Sequence, residues 1–564
     1  MPRKINYDNW SKEELIKELR RIKEIKYGLV WHRDLPEEKI DILINPDART
    51  PSEMFPNEMA GKPFPILKET KSKEMNGDKN KPVNLLIEGD NYHSLVVLNF
   101  THQEAIDLIY IDPPYNTGNN DFIYNDLQAR IVQKDDPFRH SKWLSFMEKR
   151  LKLAKNLLKS TGVIFISIDD NEQAPLKMLC DEIFDESNFI GMVARKRRGS
   201  QANLSKNISP IHEYLLIYGK SDNTRLNKLT PTVDENAFAN PDNDPRGPYV
   251  TMPCTNKGGS KYVITTPTGK KLSDEWRFKQ ETFTKLLRDN RIIFPRSGNG
   301  KPRYKLFLEE KMETGVIANT WWDDVSTNQE ATIELKDIFG GDIVFNNPKP
   351  VGLIKHILKL TTKDDSIILD FMAGSGTTGH AVLKANKEDG GNRQFILCTN
   401  NEEMDNNGNT IKHKICTDVC YPRIKKVIKG YKNIKGENVA GLGGNLKYYV
   451  CDFVEAEPTD RNKRKLVSES TEMLCIRENA FELVQDGNDF KIFKNNDKYL
   501  GIIFYEEAIN DFKKAIKKIK GHFNTYVFSL GDDPHEKQFA DVKSKVTLCA
   551  IPEVILKVYR EIFK

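Results

Sequence analysis

Asp112-Pro113-Pro114-Tyr115 places a carboxylate, a proline carbonyl of restricted direction and an aromatic ring side by side. The chemistry such a set suits is methylation of a planar amine. An exocyclic amino group on a base is a poor nucleophile, because its lone pair is delocalised into the ring. Two acceptors that take its two protons draw the nitrogen toward tetrahedral geometry, while an aromatic face holds the ring. Asp112 and the Pro113 carbonyl are the expected acceptors, Pro114 completes the stiff turn, and Tyr115 offers the face. Stacking a base on an aromatic side chain is worth about 1–3 kcal/mol, comparable to the few kcal/mol needed to pull a base from a duplex. Alone, Asp-Pro-Pro is an ordinary turn; a second motif gives it meaning.

That motif is Ser366-Ile-Ile-Leu-Asp370-Phe371-Met372-Ala373-Gly374-Ser375-Gly376-Thr377-Thr378-Gly379, read as strand, glycine loop and helix. It contains Gly-x-Gly-x-x-Gly, so a nicotinamide dinucleotide is the first rival. Asp370 closing the strand, and the lack of reductase chemistry elsewhere, count against it. Gly374 and Gly376 permit close backbone approach to a ligand. S-adenosylmethionine, with an amino-acid tail and a ribose, needs no pyrophosphate cradle. The next strand, Gln394 to Cys398, ends near Asn401-Glu402, where an acceptor suits ribose hydroxyls; Glu402 and Glu403 are both candidates. Asp90, at the end of an earlier strand, either reaches the same ligand or caps the helix through Leu95 and Leu98.

Strands must carry both loops. Ala105 to Ile111 reads as a buried strand that the prolines stop, so the acceptor loop lies at a strand's carboxyl end. Ligands of open α/β sheets bind there. Val83 to Ile87 is an earlier strand of the same sheet; a helix from about 141 to 159 and a strand Gly162 to Ile168 follow as a parallel crossover. After Phe345 a helix spans 351–361 and leads into the glycine motif. The two motifs are distant in sequence, yet at the switch point of a doubly wound sheet their strands are neighbours. Convergence of cofactor and target amine is the central expectation.

Between the halves the composition changes. Arg195-Lys196-Arg197-Arg198 packs four cations together, and through about residue 325 short β-like pieces alternate with Pro, Gly and Asn. A charge run alone is usually a solvated face. Inside an insertion interrupting such a sheet it is expected to meet DNA phosphates, with Arg, Lys, Asn, Gln and aromatics for base edges.

The whole chain sets bounds. Its 564 residues exceed one core, and 86 Lys+Arg against 81 Asp+Glu leave a net charge of only +5. Global charge does not announce a nucleic-acid binder. Eight scattered cysteines fit a reducing cytoplasm better than a disulfide scaffold. His413, Cys416 and Cys420 lack a further ligand pair at a familiar spacing, so no metal is expected. No apolar run approaches about 18 residues, so no membrane association is expected. Ser11-Lys-Glu-Glu14 is a capping box opening a surface helix with Leu15, Leu19 and Ile22. Residues 32–82 read as an arm with little core of its own. The expected domains are 1–80, helix and arm; 81–192, catalytic half; 193–325, target recognition; 326–455, cofactor half; and 456–564, a small α/β domain with a lysine-rich helix, Glu506 to Lys520.

Asp-Pro-Pro-Tyr preceding Phe-x-Gly-x-Gly, with a long insertion between, resembles the β-group amino methyltransferases of DNA, whose halves are circularly permuted relative to other methyltransferases. Tyr27-Gly28-Leu29-Val30-Trp31, Pro348-Lys349-Pro350, Asn400-Asn401-Glu402 and Gly444-Asn445-Leu446-Lys447-Tyr448-Tyr449 are similar to segments of the modification (Mod) subunits of type III restriction-modification systems. The resemblance implies a doubly wound, mostly parallel, Rossmann-like α/β sheet with an inserted mixed α/β recognition domain. It implies methyl transfer from S-adenosylmethionine to N6 of a flipped adenine in a short asymmetric site of double-stranded DNA. A Mod homodimer and a restriction (Res) helicase-nuclease partner are implied as well. Asp112, Pro113 and Tyr115 would then hold the adenine, Asp370, Phe371, Gly374 and Gly376 would line the cofactor, and Lys349 and Pro350 would flank its methionine end. Without a Gly-x4-Gly-Lys-Ser/Thr loop, the chain is not expected to power DNA translocation itself. Cytosine N4 methylation uses similar geometry and is the nearest rival. Methylation of RNA or of a protein glutamine amide, or service mainly as a DNA-reading subunit, are the others.

Overall fold

The computed structural model describes residues 11–13, 15–16, 31, 63–78, 81–117, 136, 138–199, 207–404, 413–455, 457, 459–495, 498–529, 535–551 and 555. Most of the expected N-terminal helix and arm, Tyr27 to Val30 included, lies outside them. The chain forms two compact units, one of Met1–Arg225 with Thr320–Lys564, the other of Leu226–Asn319.

The first unit is built on a ten-stranded sheet. Its strands are β1 (Phe64–Glu69), β2 (Val83–Glu88), β3 (Ile106–Ile111), β4 (Leu158–Ile168), β5 (Phe189–Lys196), β6 (His212–Gly219), β7 (Trp321–Trp322), β8 (Ile367–Asp370), β9 (Gln394–Thr399) and β10 (Asn445–Val454). They lie in the order β1-β10-β2-β9-β8-β3-β4-β6-β5-β7. From β10 to β4 every neighbouring pair is parallel; β1, β6 and β5 add antiparallel pairs at the two sides. β9 is buried along its whole length, as a strand covered on both faces must be.

Helices follow from the same apolar spacing. α1 (Asn91–Thr101), α2 (Arg139–Leu157), α3 (Gln173–Phe184) and a late helix, Asp460–Glu478, pack with one another. α4 (Asn328–Ile338), α5 (Val351–Thr361), α6 (Thr377–Asp389) and α7 (Tyr421–Lys429) form a second group, and α1 and α6 both touch β9. α1 is buried almost all round, so it sits in the core rather than on it. At the amino ends of the strands, Asp107 ties three of them: it pairs with Lys159 at 2.8 Å and accepts from the Ile367 backbone N–H at 2.8 Å.

Three boundaries differ from expectation. β5 and β6, read as the start of the insertion, belong to the central sheet, because Val193, Leu215, Leu216 and Tyr218 bury against it. The separate unit begins at Leu226. The arm supplies edge strand β1, where Phe64, Ile66 and Leu67 are buried and Pro65 is tolerated. In the C-terminal region, a five-stranded sheet shares the main core: Leu466 and Met473 of the late helix cluster with Leu500, Ile502 and Tyr526.

The second unit holds a three-stranded sheet (Tyr249–Pro253, Ile292–Ile293, Arg303–Phe307), a two-stranded ribbon (Thr255–Thr265, Lys271–Trp276) and a helix, Gln280–Arg288. Its core is Cys254, Ile264, Trp276, Phe283 and Ile292. Lys305, buried, pairs with Asp242 at 2.5 Å and Asp244 at 2.7 Å.

Gly379 lets α6 lie close to the sheet. A Cβ there would stand 2.8 Å from Ile424 Cδ1 and 3.0 Å from Leu397 Cδ1. Gly379→Val should therefore destabilise the protein by about 1–3 kcal/mol through overpacking. An unchanged melting temperature would contradict this packing.

Candidate active site

β8 and β3 are parallel neighbours, with Ile368 opposite Leu108 and Leu369 opposite Ile109. Asp370 closes the first strand and Asp112 follows the second, so the two motif loops leave the same edge of the sheet side by side. The expected convergence is thus a consequence of strand order.

The acceptor loop is braced on three sides. Trp143 Nε1 donates to the Pro114 carbonyl at 2.7 Å, while no described residue donates to the Pro113 carbonyl. Asn116 takes a left-handed backbone (φ 54°) and donates to Glu172 Oε1 at 2.5 Å. Glu172 is wholly buried and also meets His140 Nδ1 at 2.6 Å. On the third side stands Lys349. Its Nζ donates to the Tyr115 hydroxyl at 2.6 Å and to Glu213 Oε2 at 2.9 Å, and lies 3.2 Å from Asp112 Oδ1. The ammonium sits 4.8 Å from the Tyr115 ring centroid. Asp112 Oδ1 is hidden from solvent and accepts no hydrogen bond.

The glycine loop is held by Asp370, which accepts from the Met372 N–H at 3.0 Å and from Thr378 Oγ1 at 2.5 Å. Gly374 and Gly376 both have positive φ, 50° and 80°. A side chain at Gly376 would meet Cys420 Sγ at 3.0 Å, and one at Gly374 would meet Phe345 Cζ at 3.1 Å. Phe371 lies wholly within the core, and Ala373 is buried. Thr377 Oγ1 donates to the Lys349 carbonyl at 3.0 Å. Lys349 therefore joins the two loops, backbone to one and side chain to the other. Pro350 is the N-cap of α5. Arg423, buried and unnoticed in the sequence, donates to Ser375 Oγ at 3.0 Å and Thr377 Oγ1 at 2.8 Å.

Beside β8, the ends of β9 and β2 carry further acceptors. Glu402 accepts from Asn400 Nδ2 at 2.6 Å, and Glu88 from Asn401 Nδ2. Asp90 caps α1, accepting from the Tyr92 N–H at 2.7 Å, and lies 3.4 Å from Arg150. The side chain of Glu403 lies outside the described residues.

Burial governs the acids. It raises Asp112 above the usual carboxylate range; Lys349 opposes and Glu213 adds to the rise. Burial likewise pushes Asp370 up to about 7, against the hydrogen bonds from Thr378 and Met372. For Glu213 burial is outweighed by Lys349 and Arg195, which hold it low. Tyr115 is raised by burial and then by Asp112 and Glu213, so its hydroxyl stays protonated.

One expectation is corrected. Arg195, read as part of a phosphate-binding run, is wholly buried: it pairs with Glu213 and donates to Asn328 Oδ1 at 3.1 Å and to the Ser326 carbonyl at 2.5 Å. A strand alternates its faces, so Arg195 and Lys196, the two cations of the run that lie on β5, cannot point the same way. Lys196, Arg197 and Arg198 are partly exposed. Among the described residues, no group of three or more His, Cys, Asp or Glu is placed to hold a metal ion, and no helix is long and apolar enough to cross a membrane.

The residues present fit S-adenosylmethionine. The edge offers an ammonium, a sulfonium and ribose hydroxyls the acceptors of Asp90, Asp370 and Glu402, and Asp112 adds a partly exposed carboxylate. The nearby cations Lys349, Arg150 and Arg423 are already engaged, which suits a pyrophosphate poorly.

An acid with a raised folded pKa stabilises the fold at pH values below its unfolded pKa and loses that contribution as pH rises through the folded one. For Asp370 the loss runs from about pH 4 to about 7, the latter being its folded pKa. Asp370→Asn, which cannot ionise, should flatten this part of the melting-temperature curve measured without cofactor. Curves that stay parallel between parent and variant would contradict the burial argument.

The family model described as "DNA methylase" matches residues 106–407. The type III restriction-modification enzyme StyLTI Mod subunit of Salmonella typhimurium is 40% identical over 350 residues, covering 57% of this chain and 53% of that protein. The EcoPI Mod subunit of Escherichia phage P1 is 31% identical, covering 71% of each. The chain thus spans about half the length of the first relative and more of the second. Among solved structures, the PvuII DNA methyltransferase (cytosine-N4-specific) aligns with a TM-score of 0.30 at 15% identity, covering 64% of this chain and 98% of that one. The family model covers more than half of the chain, and it encloses both the acceptor loop and the glycine loop that Lys349 ties together. The chain belongs to the DNA methylase family and, within it, to the Mod subunits of type III restriction-modification enzymes.

Proposed function

We propose that the chain methylates N6 of a flipped adenine in a short asymmetric site of double-stranded DNA, as the modification and recognition subunit of a type III restriction-modification system. The observation that carries this reading is the partly exposed Asp112 carboxylate beside Tyr115, after the strand next to the glycine loop. S-adenosylmethionine supplies the transferred methyl group when bound along the ends of β8, β9 and β2. Asp112 and the Pro113 carbonyl accept hydrogen bonds from the two amino protons of the target, Asp112 takes the single proton released as the methyl group is transferred, and Tyr115 stacks on the ring while Lys349 stays bonded to Glu213 and the Tyr115 hydroxyl.

The acceptor half precedes the cofactor half along the chain, the order of the circularly permuted β-group enzymes. The unit Leu226–Asn319 is assigned to target recognition, with Lys196, Arg197 and Arg198 as candidate phosphate contacts. A homodimer and a Res partner follow from the likeness to type III Mod subunits. The site is assigned to the cytoplasm with its DNA.

Asp112→Ala should abolish methylation, by about 100-fold or more given the weight of a positioned acceptor, while S-adenosylmethionine binding is retained. A variant that methylates at a near parental rate would end the assignment. Nucleoside analysis of the product should find N6-methyladenine; N4-methylcytosine would select the rival reading. Exchanging residues 226–319 for those of a relative should move the methylated motif, and an unmoved motif would remove recognition from this unit.

A further inference from the structure

Glu213 carries no motif and no neighbouring chemistry in the sequence, yet it stands beneath the acceptor loop. It lies in β6, antiparallel to β4, and its side chain is fully buried. Oε2 accepts from Lys349 Nζ at 2.9 Å and from the Tyr115 hydroxyl at 3.2 Å, and Oε1 accepts from Arg195. Taking a carboxylate out of water is costly, and an apolar side chain would pack here without that penalty. The arrangement needs a reason other than stability.

The reason lies in the three donors of one ammonium. Two of the Lys349 protons are used in short hydrogen bonds, to Tyr115 and Glu213. Asp112 Oδ1 is left with a 3.2 Å ionic contact and no hydrogen bond. Without Glu213, the ammonium would lose the acceptor that fixes its place beside the Tyr115 ring and against Asp112. The Tyr115 hydroxyl would also lose the acceptor that helps fix the ring's direction. Arg195, held by Asn328 and the Ser326 carbonyl, keeps Glu213 in place from the opposite side.

We propose that Glu213 is a positioning residue for methyl transfer, which anchors the Lys349 ammonium and the Tyr115 hydroxyl and so fixes the Tyr115 ring beside the Asp112 carboxylate. The inference rests on Asp112 and Tyr115 being the base-holding pair. The titratable and charged groups that bear on Asp112 are Lys349, Glu213, Tyr115, Tyr110 and Asp370. Of these, Lys349 draws the Asp112 pKa down and Glu213 draws it up. Removing Glu213 therefore lowers it, and the acid limb of kcat/KM, where Asp112 becomes protonated, moves to lower pH.

The test uses the full chain, S-adenosylmethionine and double-stranded DNA. Glu213→Gln should lower kcat by about 10- to 100-fold, as misplaced reacting groups do, and move the acid limb to lower pH. Because this variant leaves two buried cations short of a counter-charge, a second one, Glu213→Gln with Arg195→Met, removes the ion pair as a unit and should show the same downward shift. Replacing Lys349 by Met in the Glu213→Gln background should cost less than the two single changes multiplied, since Glu213 acts in part through that ammonium. An acid limb that stays in place in both variants, while the parent methylates DNA normally, overturns the role of Glu213 alone. A parent that leaves DNA unmethylated overturns this inference together with the functional reading.

Discussion

A single buried ammonium holds the site together. Lys349 gives its carbonyl to Thr377 at the start of α6 and its side chain to Tyr115, Glu213 and Asp112. A lysine is buried only when its charge is matched, and here the matching acids are Asp112 and Glu213. Glu213 is matched in turn by Arg195. The chain of opposite charges, Asp112, Lys349, Glu213, Arg195, links a loop after β3, a segment before α5, and strands β6 and β5. No member can be removed without leaving a partner uncompensated.

The sheet makes this array possible. Parallel strands β8 and β3 deliver their loops to one edge, and the prolines after Ile111 end the strand where the acceptor must stand. The glycines at 374 and 376 take positive φ and let the second loop turn back into α6. Asp370 serves that turn as a hydrogen-bond acceptor, and burial raises its pKa to about 7. Acceptors at the ends of β9 and β2 complete an edge suited to a cationic, ribose-bearing ligand.

Much of this was legible in the sequence because it is local. The helix expected over 351–361 is Val351–Thr361, and the strand beginning at Gln394 runs to Thr399. Periodicity and proline or glycine punctuation carry such elements. Glu213 and Arg423 were not legible, since each acts on partners more than forty residues away and neither lies in a spaced pattern. Arg195 was misread for a related reason: a run of cations looks like a solvated face until strand alternation turns one of them inward against a distant acid. The start of the insertion was placed too early because β5 and β6 share its mixed composition, although their inward residues close the sheet.

The central claim is that the two loops serve one reaction. A crystal structure with a non-reactive S-adenosylmethionine analogue and duplex DNA carrying the methylated motif would measure it directly. The account predicts the target nitrogen within hydrogen-bond reach of Asp112, with the position of the donor's transferable carbon about 3–3.5 Å away. Analogue and base lodged in separate pockets, one at Gly374 and the other at Tyr115 with no direct path between them, would contradict it.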